Sequence, residues 1–244
     1  MLLCQCGAPD GGAHQEVIQE GQFGQLRLFQ PPSAPRRHLV LLLSGVVAGA
    51  PGSMPSPSGP PPVARSWPES TCARGWPRSD TRPPPASPPG PLAQLGRSLQ
   101  ARYALQERPA LVGHSAGATL AYVALAQGRA QDFRGAVTLS FCAGLDLAKP
   151  LCAAPTLFST RRSSGIRLAP GGALPAPWIG LHGLEDRECP AAEGRAFMQA
   201  VPGASFVPLP GEGHAYGDID SWWARFRAAY GSLATAQGPG TPPP

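Results

Sequence analysis

The alternation of polar and apolar residues at 24–29, Gly-Gln-Leu-Arg-Leu-Phe, predicts a half-solvated antiparallel strand with Leu26 and Leu28 facing inward. Pro31 and Pro32 end it. At 38–43 the pattern changes to a continuous apolar run between an Arg-Arg pair and Ser44-Gly45, as expected of a strand buried on both faces of a parallel sheet. Leu92, Leu95, Leu99 and Tyr103 recur at helical spacing and predict an amphipathic helix. A short strand at 110–112 then leads into a helix over 116–127, rich in Ala, Leu and Val and stopped by Gly128. Further strands are predicted at 135–141, 178–182 and 205–209, the last shortened by Pro208, with a helix at 191–201. The final helix starts near Asp218 or Asp220, either a suitable N-cap, with Trp222, Trp223, Phe226 and Tyr230 on its inner face. Residues 153–176 read as a long connection with few strong elements.

Strands alternating with helices imply a mostly parallel α/β sheet with helices on both faces, whose functional residues gather at the carboxyl ends of the strands. One stretch breaks the pattern. Between 46 and 91 there are 14 prolines and 7 serines in 46 residues, and runs such as Pro-Pro-Pro at 60–62 and 83–85 exclude both helix and ladder. The expected organisation is therefore a disordered N-terminus over 1–19 and a single domain over 20–233, interrupted by a Pro/Ser/Arg-rich segment at 46–91. A disordered tail follows at 234–244.

Composition narrows the function. Glycine and proline, 30 and 32 residues, make up about a quarter of the chain, at the edge of the low-complexity range. The net charge is +5, but Lys149 is the sole lysine and the arginines are scattered, so no basic stripe for nucleic acid is expected. No apolar run reaches the roughly 18 residues of a membrane span. The first residues lack the basic and apolar regions of an export signal. Six cysteines suit an oxidising compartment without amounting to a disulfide scaffold. Cys142 and Cys152 are near enough in sequence to close a small loop, and free or buried thiols fit as well.

Chemistry concentrates at Gly113-His114-Ser115-Ala116-Gly117, a G-x-S-x-G turn between a strand and a helix. Such a turn lifts the Ser115 oxygen clear of the backbone, while Gly113 and Gly117 let strand and helix approach. The amide of Ala116 becomes one oxyanion donor, and a backbone donor near Gly45 the second. A serine nucleophile needs a base and a carboxylate to orient it. Asp186, after the 178–182 strand, and His214, after the 205–209 strand, supply them in the Ser, Asp, His order of α/β-hydrolases. Glu185 competes for the acid role, and Asp146 does so more weakly. His182 and His114 are rival bases, whereas His14 and His38 read as structural or solvated. No metal or organic cofactor is called for.

Several segments resemble the bacterial virulence protein family of VirJ and AcvB type. They are Gly-Gln-Phe-Gly-Gln-Leu-Arg-Leu-Phe at 21–29, Leu-Val-Gly-His-Ser-Ala-Gly-Ala-Thr-Leu-Ala-Tyr at 111–122, Phe-Arg-Gly at 133–135, Phe141-Cys142 with Pro-Leu-Cys at 150–152, and Leu-Pro-Gly-Glu-Gly-His at 209–214. The resemblance covers roughly residues 20–45 and 92–230. It implies an α/β-hydrolase exported to the periplasm and associated with type IV secretion, some members hydrolysing aminoacylated phosphatidylglycerol. By motif it assigns the nucleophile to Ser115, the acid to Asp186 and the base to His214. The partners it implies are an ester or aminoacyl-lipid substrate and secretion-system proteins, the latter also suiting a non-catalytic escort. After Ser44-Gly45, family members continue with a Gly-rich Asp-Gly-Gly-Trp type segment, a helix and a further strand. Here the proline-rich run stands instead, and we read it as a frame-shifted stretch of a GC-rich gene. Such a chain would be a damaged hydrolase, since losing one oxyanion donor costs about 100- to 1,000-fold in rate.

Overall fold

The computed structural model describes residues 14–20, 24–30, 38–44, 89–145, 151–162 and 165–235. The proline-rich run up to residue 88, the tail from 236, Gly45 and Asp146 lie outside the described residues.

Five strands form a wholly parallel central sheet: β3 (Val40–Ser44), β4 (Ala110–His114), β5 (Gly135–Leu139), β9 (Trp178–Gly183) and β10 (Ala204–Leu209). Their order is β10-β9-β5-β4-β3. Alternate residues of each strand feed two different cores, as the two-residue period of a strand requires. Leu41, Leu43, Leu111 and Ala136 pack into one core with α1 (Pro89–Tyr103), α2 (Ala116–Gln127) and α3 (Ala191–Gln199). Ala110, Val112, Val137, Leu139 and Leu181 pack against Trp222, Ala229 and Leu233 of α4 (Ile219–Thr235) on the other side. Both faces are covered, which makes this a parallel α/β sheet with helices on either side. The larger core centres on Trp178, whose indole donates to Thr138 Oγ1 at 2.9 Å, amid Tyr122, Phe141 and Phe197.

Several expectations need correcting. Residues 14–19, assigned to a disordered terminus, form with Glu20 the strand β1 (His14–Glu20), antiparallel to β2 (Gly24–Gln30). Its pattern is weak because Ile18 is buried while its neighbour Val17 is exposed. Order comes from the partner strand and from Glu16, which pairs with Arg102 and accepts the Tyr103 hydroxyl, both at 2.8 Å. The supposed connection at 153–176 contains β7 (Phe158–Arg162) and β8 (Gly165–Ala169), an antiparallel pair that β6 (Gly144–Leu145) joins to make a three-stranded sheet. β7 is exposed throughout, which hides it from a hydrophobic pattern, although Ile166 and Leu168 of β8 are buried at the spacing of a strand.

Smaller differences have local causes. The first long helix begins at Pro89, ahead of Leu92, because proline suits a first turn where no N–H is needed. Pro208 does not shorten β10, since that strand lies at the sheet edge. Gly128 stops α2 in an extended conformation (φ −80°), and a Cβ there would meet the Ala124 carbonyl oxygen at 2.6 Å. Space, not handedness, requires glycine at that position.

Candidate active site

Ser115 follows β4 directly, Asp186 lies three residues beyond β9, and His214 five beyond β10. All three therefore stand at the carboxyl edge of one parallel sheet. Ser115 holds φ 56° and ψ −124° as α2 begins, a left-handed conformation that non-glycine residues rarely adopt. The turn is anchored by Ser115 N–H, which donates to Leu139 O at 3.0 Å. A Cβ on Gly113 would lie 2.4 Å from the Gly117 carbonyl oxygen, so glycine at 113 is what lets the helix start this close to the strand. The N–H of Ala116, in the first turn of α2, has no intrahelical acceptor and remains for an oxyanion.

The side chains form a continuous chain of hydrogen bonds. Ser115 Oγ lies 3.0 Å from His214 Nε2 and donates to it when Nδ1 carries the ring proton. His214 Nδ1–H faces both oxygens of Asp186, at 2.9 Å for Oδ2 and 3.1 Å for Oδ1. An acceptor-only carboxylate fixes that tautomer. Ser115 is 6% and Asp186 5% exposed, so the polar chain is shielded from water except on the His214 side. There the exposed Glu188 carboxylate stands 3.6 Å from Nε2.

Asp186, not Glu185, meets His214; Glu185 is exposed and its N–H bonds to Glu212 O. Asp186 also accepts the N–H groups of Glu188 (3.0 Å) and Cys189 (2.9 Å) and the hydroxyl of Ser140. Burial by itself would raise its pKa; the donors from Ser140, Cys189 and His214 outweigh burial and hold it below the ordinary 3.8.

The rival histidines take other roles. His114 Nε2–H donates to the backbone carbonyl of His214 at 2.8 Å, tying the Ser115 turn to the loop that carries His214. His182 is 1% exposed and donates to Cys189 O at 2.7 Å. Burial pushes the pKa of both rings below 6.5. His38 bonds Glu107 at 2.7 Å, far along the sheet from this edge. Asp218 caps α4, accepting Asp220 N–H at 3.1 Å.

Three features of the site were not read from the sequence: the buried Ser140 and Tyr216, and a disulfide between Cys142 and Cys189 with Cα atoms 5.1 Å apart. That pairing replaces the Cys142–Cys152 loop considered above. The loop after β5 and the acid turn after β9 meet side by side, whereas Cys152 is anchored elsewhere, its carbonyl taking the Gln127 amide at 2.7 Å. The bond fastens the turn carrying Asp186. The double variant Cys142→Ser/Cys189→Ser is expected to lose about 2–4 kcal/mol of stability in urea titration, as for a loop of 47 residues; an unchanged midpoint would contradict this.

A pH dependence follows from the same groups. Asp186, His114 and His182 all have folded pKa values below their ordinary ones, so the unfolded chain takes up protons first as pH falls. Stability is expected to be fully present above about 7. It should decline as pH drops below 6.5 through the two histidines, and again below 3.8 through Asp186. Urea midpoints at pH 8, 6 and 5 test this; equal midpoints at all three would contradict it.

Among the described residues no cluster of His, Cys, Asp or Glu could hold a metal ion, and no helix is long and apolar enough to cross a membrane. No protein-family model matches the chain, and no curated protein matches it. Among solved structures, a candidate alpha/beta hydrolase of unknown function from Agrobacterium tumefaciens is similar over 93% of this chain and 100% of its own, with 11% identity and a TM-score of 0.50. Est1E from Butyrivibrio proteoclasticus matches 60% of this chain and 68% of its own, at 14% identity and TM-score 0.40. A candidate dienelactone hydrolase from Klebsiella pneumoniae subsp. pneumoniae MGH 78578 matches 59% of this chain at 18% identity and TM-score 0.43, and this chain spans 60% of its length. At these identities the likeness concerns the fold.

Proposed function

We propose that this chain is a serine hydrolase that cleaves carboxylic esters through an acyl-enzyme. The observation that carries the reading is the unbroken relay from Ser115 Oγ to His214 Nε2 (3.0 Å) and from His214 Nδ1 to Asp186 Oδ2 (2.9 Å). His214 takes the hydroxyl proton as Ser115 Oγ attacks the ester carbonyl, and Asp186 stabilises the imidazolium that results. The developing oxyanion is met by the Ala116 N–H. Collapse expels the alcohol, which receives the proton from His214. Water then enters by the same route and releases the acid.

Within that class, the resemblance to VirJ and AcvB supports an aminoacylated phospholipid as the ester and secretion-system proteins as neighbours. The Cys142–Cys189 disulfide supports an oxidising compartment such as the periplasm. The test is turnover of a p-nitrophenyl ester. We expect a burst of p-nitrophenol equal to the enzyme concentration, followed by slower steady turnover. Folded protein that releases none would overturn the reading. Release of free amino acid from vesicles of ester-linked aminoacyl-phosphatidylglycerol, and not from vesicles carrying an amide-linked analogue, supports the lipid substrate; inertness of the ester-linked lipid removes it.

A further inference from the structure

Ser140 is the first residue past β5 and is completely buried. Its backbone sits at φ 49°, in the left-handed region where glycine is the easy occupant. A buried serine in that conformation calls for a reason, and its bonds supply one. The N–H donates to Leu181 O at 3.1 Å, locking the loop against β9. The hydroxyl lies 2.5 Å from Asp186 Oδ2, and since a carboxylate only accepts, Ser140 is the donor. Its oxygen is thereby left to accept from the Tyr216 hydroxyl at 3.0 Å. The single proton of Tyr216 is shared between Ser140 and Leu181 O (3.2 Å), and burial holds that phenol protonated, with its pKa raised to about 12.

The two oxygens of Asp186 are thus differently held. Oδ1 takes the backbone N–H groups of Glu188 and Cys189 and lies 3.1 Å from His214 Nδ1, whereas Oδ2 takes Ser140 and lies nearer the same nitrogen, at 2.9 Å. Two residues farther along the same loop, Cys142 is bonded to Cys189 in the acid turn. The loop after β5 therefore grips the acid turn twice, once covalently and once through the carboxylate itself.

We propose that Ser140 is a positioning residue for the acid: its hydroxyl, donated to the carboxylate oxygen nearer His214 Nδ1, fixes the direction of Asp186 and through it the imidazole, and Tyr216 orients that hydroxyl. The strained backbone is kept because it aims the hydroxyl at the carboxylate. The proposal rests on the serine-hydrolase reading above.

Ser140→Ala removes the hydroxyl and keeps the strained position, whereas Ser140→Gly removes the hydroxyl and relieves the strain. Both are expected to lower kcat for a p-nitrophenyl ester about 10- to 100-fold, as for loss of alignment at a reacting centre, with KM within about twofold. Ser140→Gly should melt no lower than Ser140→Ala. In both, the low-field proton resonance of His214 Nδ1–H should broaden or shift. A Ser140→Gly variant with wild-type kcat and an unaltered resonance would overturn the proposal, because the backbone and not the hydroxyl would then matter. Failure of both variants to fold would also overturn it, by making Ser140 a core residue only. Wild-type turnover that Ser115→Ala abolishes leaves the hydrolase reading standing whatever the Ser140 variants do. Absence of wild-type turnover would remove both.

Discussion

Replacing Ser115 with alanine is expected to lower kcat for an activated ester by about a million-fold, the size of loss known when a serine nucleophile is removed from an assembled triad. The expectation follows from position. Ser115 Oγ is 3.0 Å from His214 Nε2, and the backbone at φ 56° holds it at the sheet edge. Alanine has the same backbone needs, so the turn and the Ala116 donor should persist. What should remain is the rate due to binding and oxyanion stabilisation, about 10³- to 10⁴-fold over water. KM should change little. A variant keeping more than about a hundredth of wild-type kcat would point to a different nucleophile.

Asp186→Asn is expected to have the second largest effect, about 10⁴-fold in kcat. The carboxylate accepts from His214, Ser140 and the N–H groups of Glu188 and Cys189, and donates nothing. An amide at that position turns one acceptor into a donor. If its NH₂ faces His214, the imidazole takes the wrong tautomer and cannot receive the Ser115 proton. If it faces the Glu188 and Cys189 amides instead, buried N–H groups oppose one another, at a cost of about 1–3 kcal/mol. Either arrangement loses activity, and the second also lowers the urea midpoint. Glu185→Gln, exposed and one residue away, serves as the control and should retain activity within about twofold. Equal losses from both substitutions would contradict the assignment of the acid.

The strand–turn–helix around Ser115 was legible in the sequence because its constraints are local. Gly113 has no room for a Cβ beside Gly117, and the apolar strand and helix on either side are unambiguous. Asp186 and His214 could be found because each follows an apolar strand, and parallel strands bring their carboxyl ends to one edge. The legible set ends where order comes from partners distant in the chain. β1 and β7 carry almost no hydrophobic signal and owe their form to β2 and β8. Ser140 looks like the end of a strand, and its hydroxyl gains meaning only once the acid turn is packed against it. The Cys142–Cys189 pairing was illegible for a similar reason: six cysteines allow 15 full pairings, and spacing does not choose among them. Glu185 and Asp186 differ only in the direction they face on their turn, which the fold decides.

The most direct test of the account is reaction of the folded protein with a fluorophosphonate, followed by mass mapping of the adduct. One adduct is expected, on Ser115, formed by the wild type and lost in His214→Ala. Labelling at any other residue, or a folded protein that does not react at all, would contradict it.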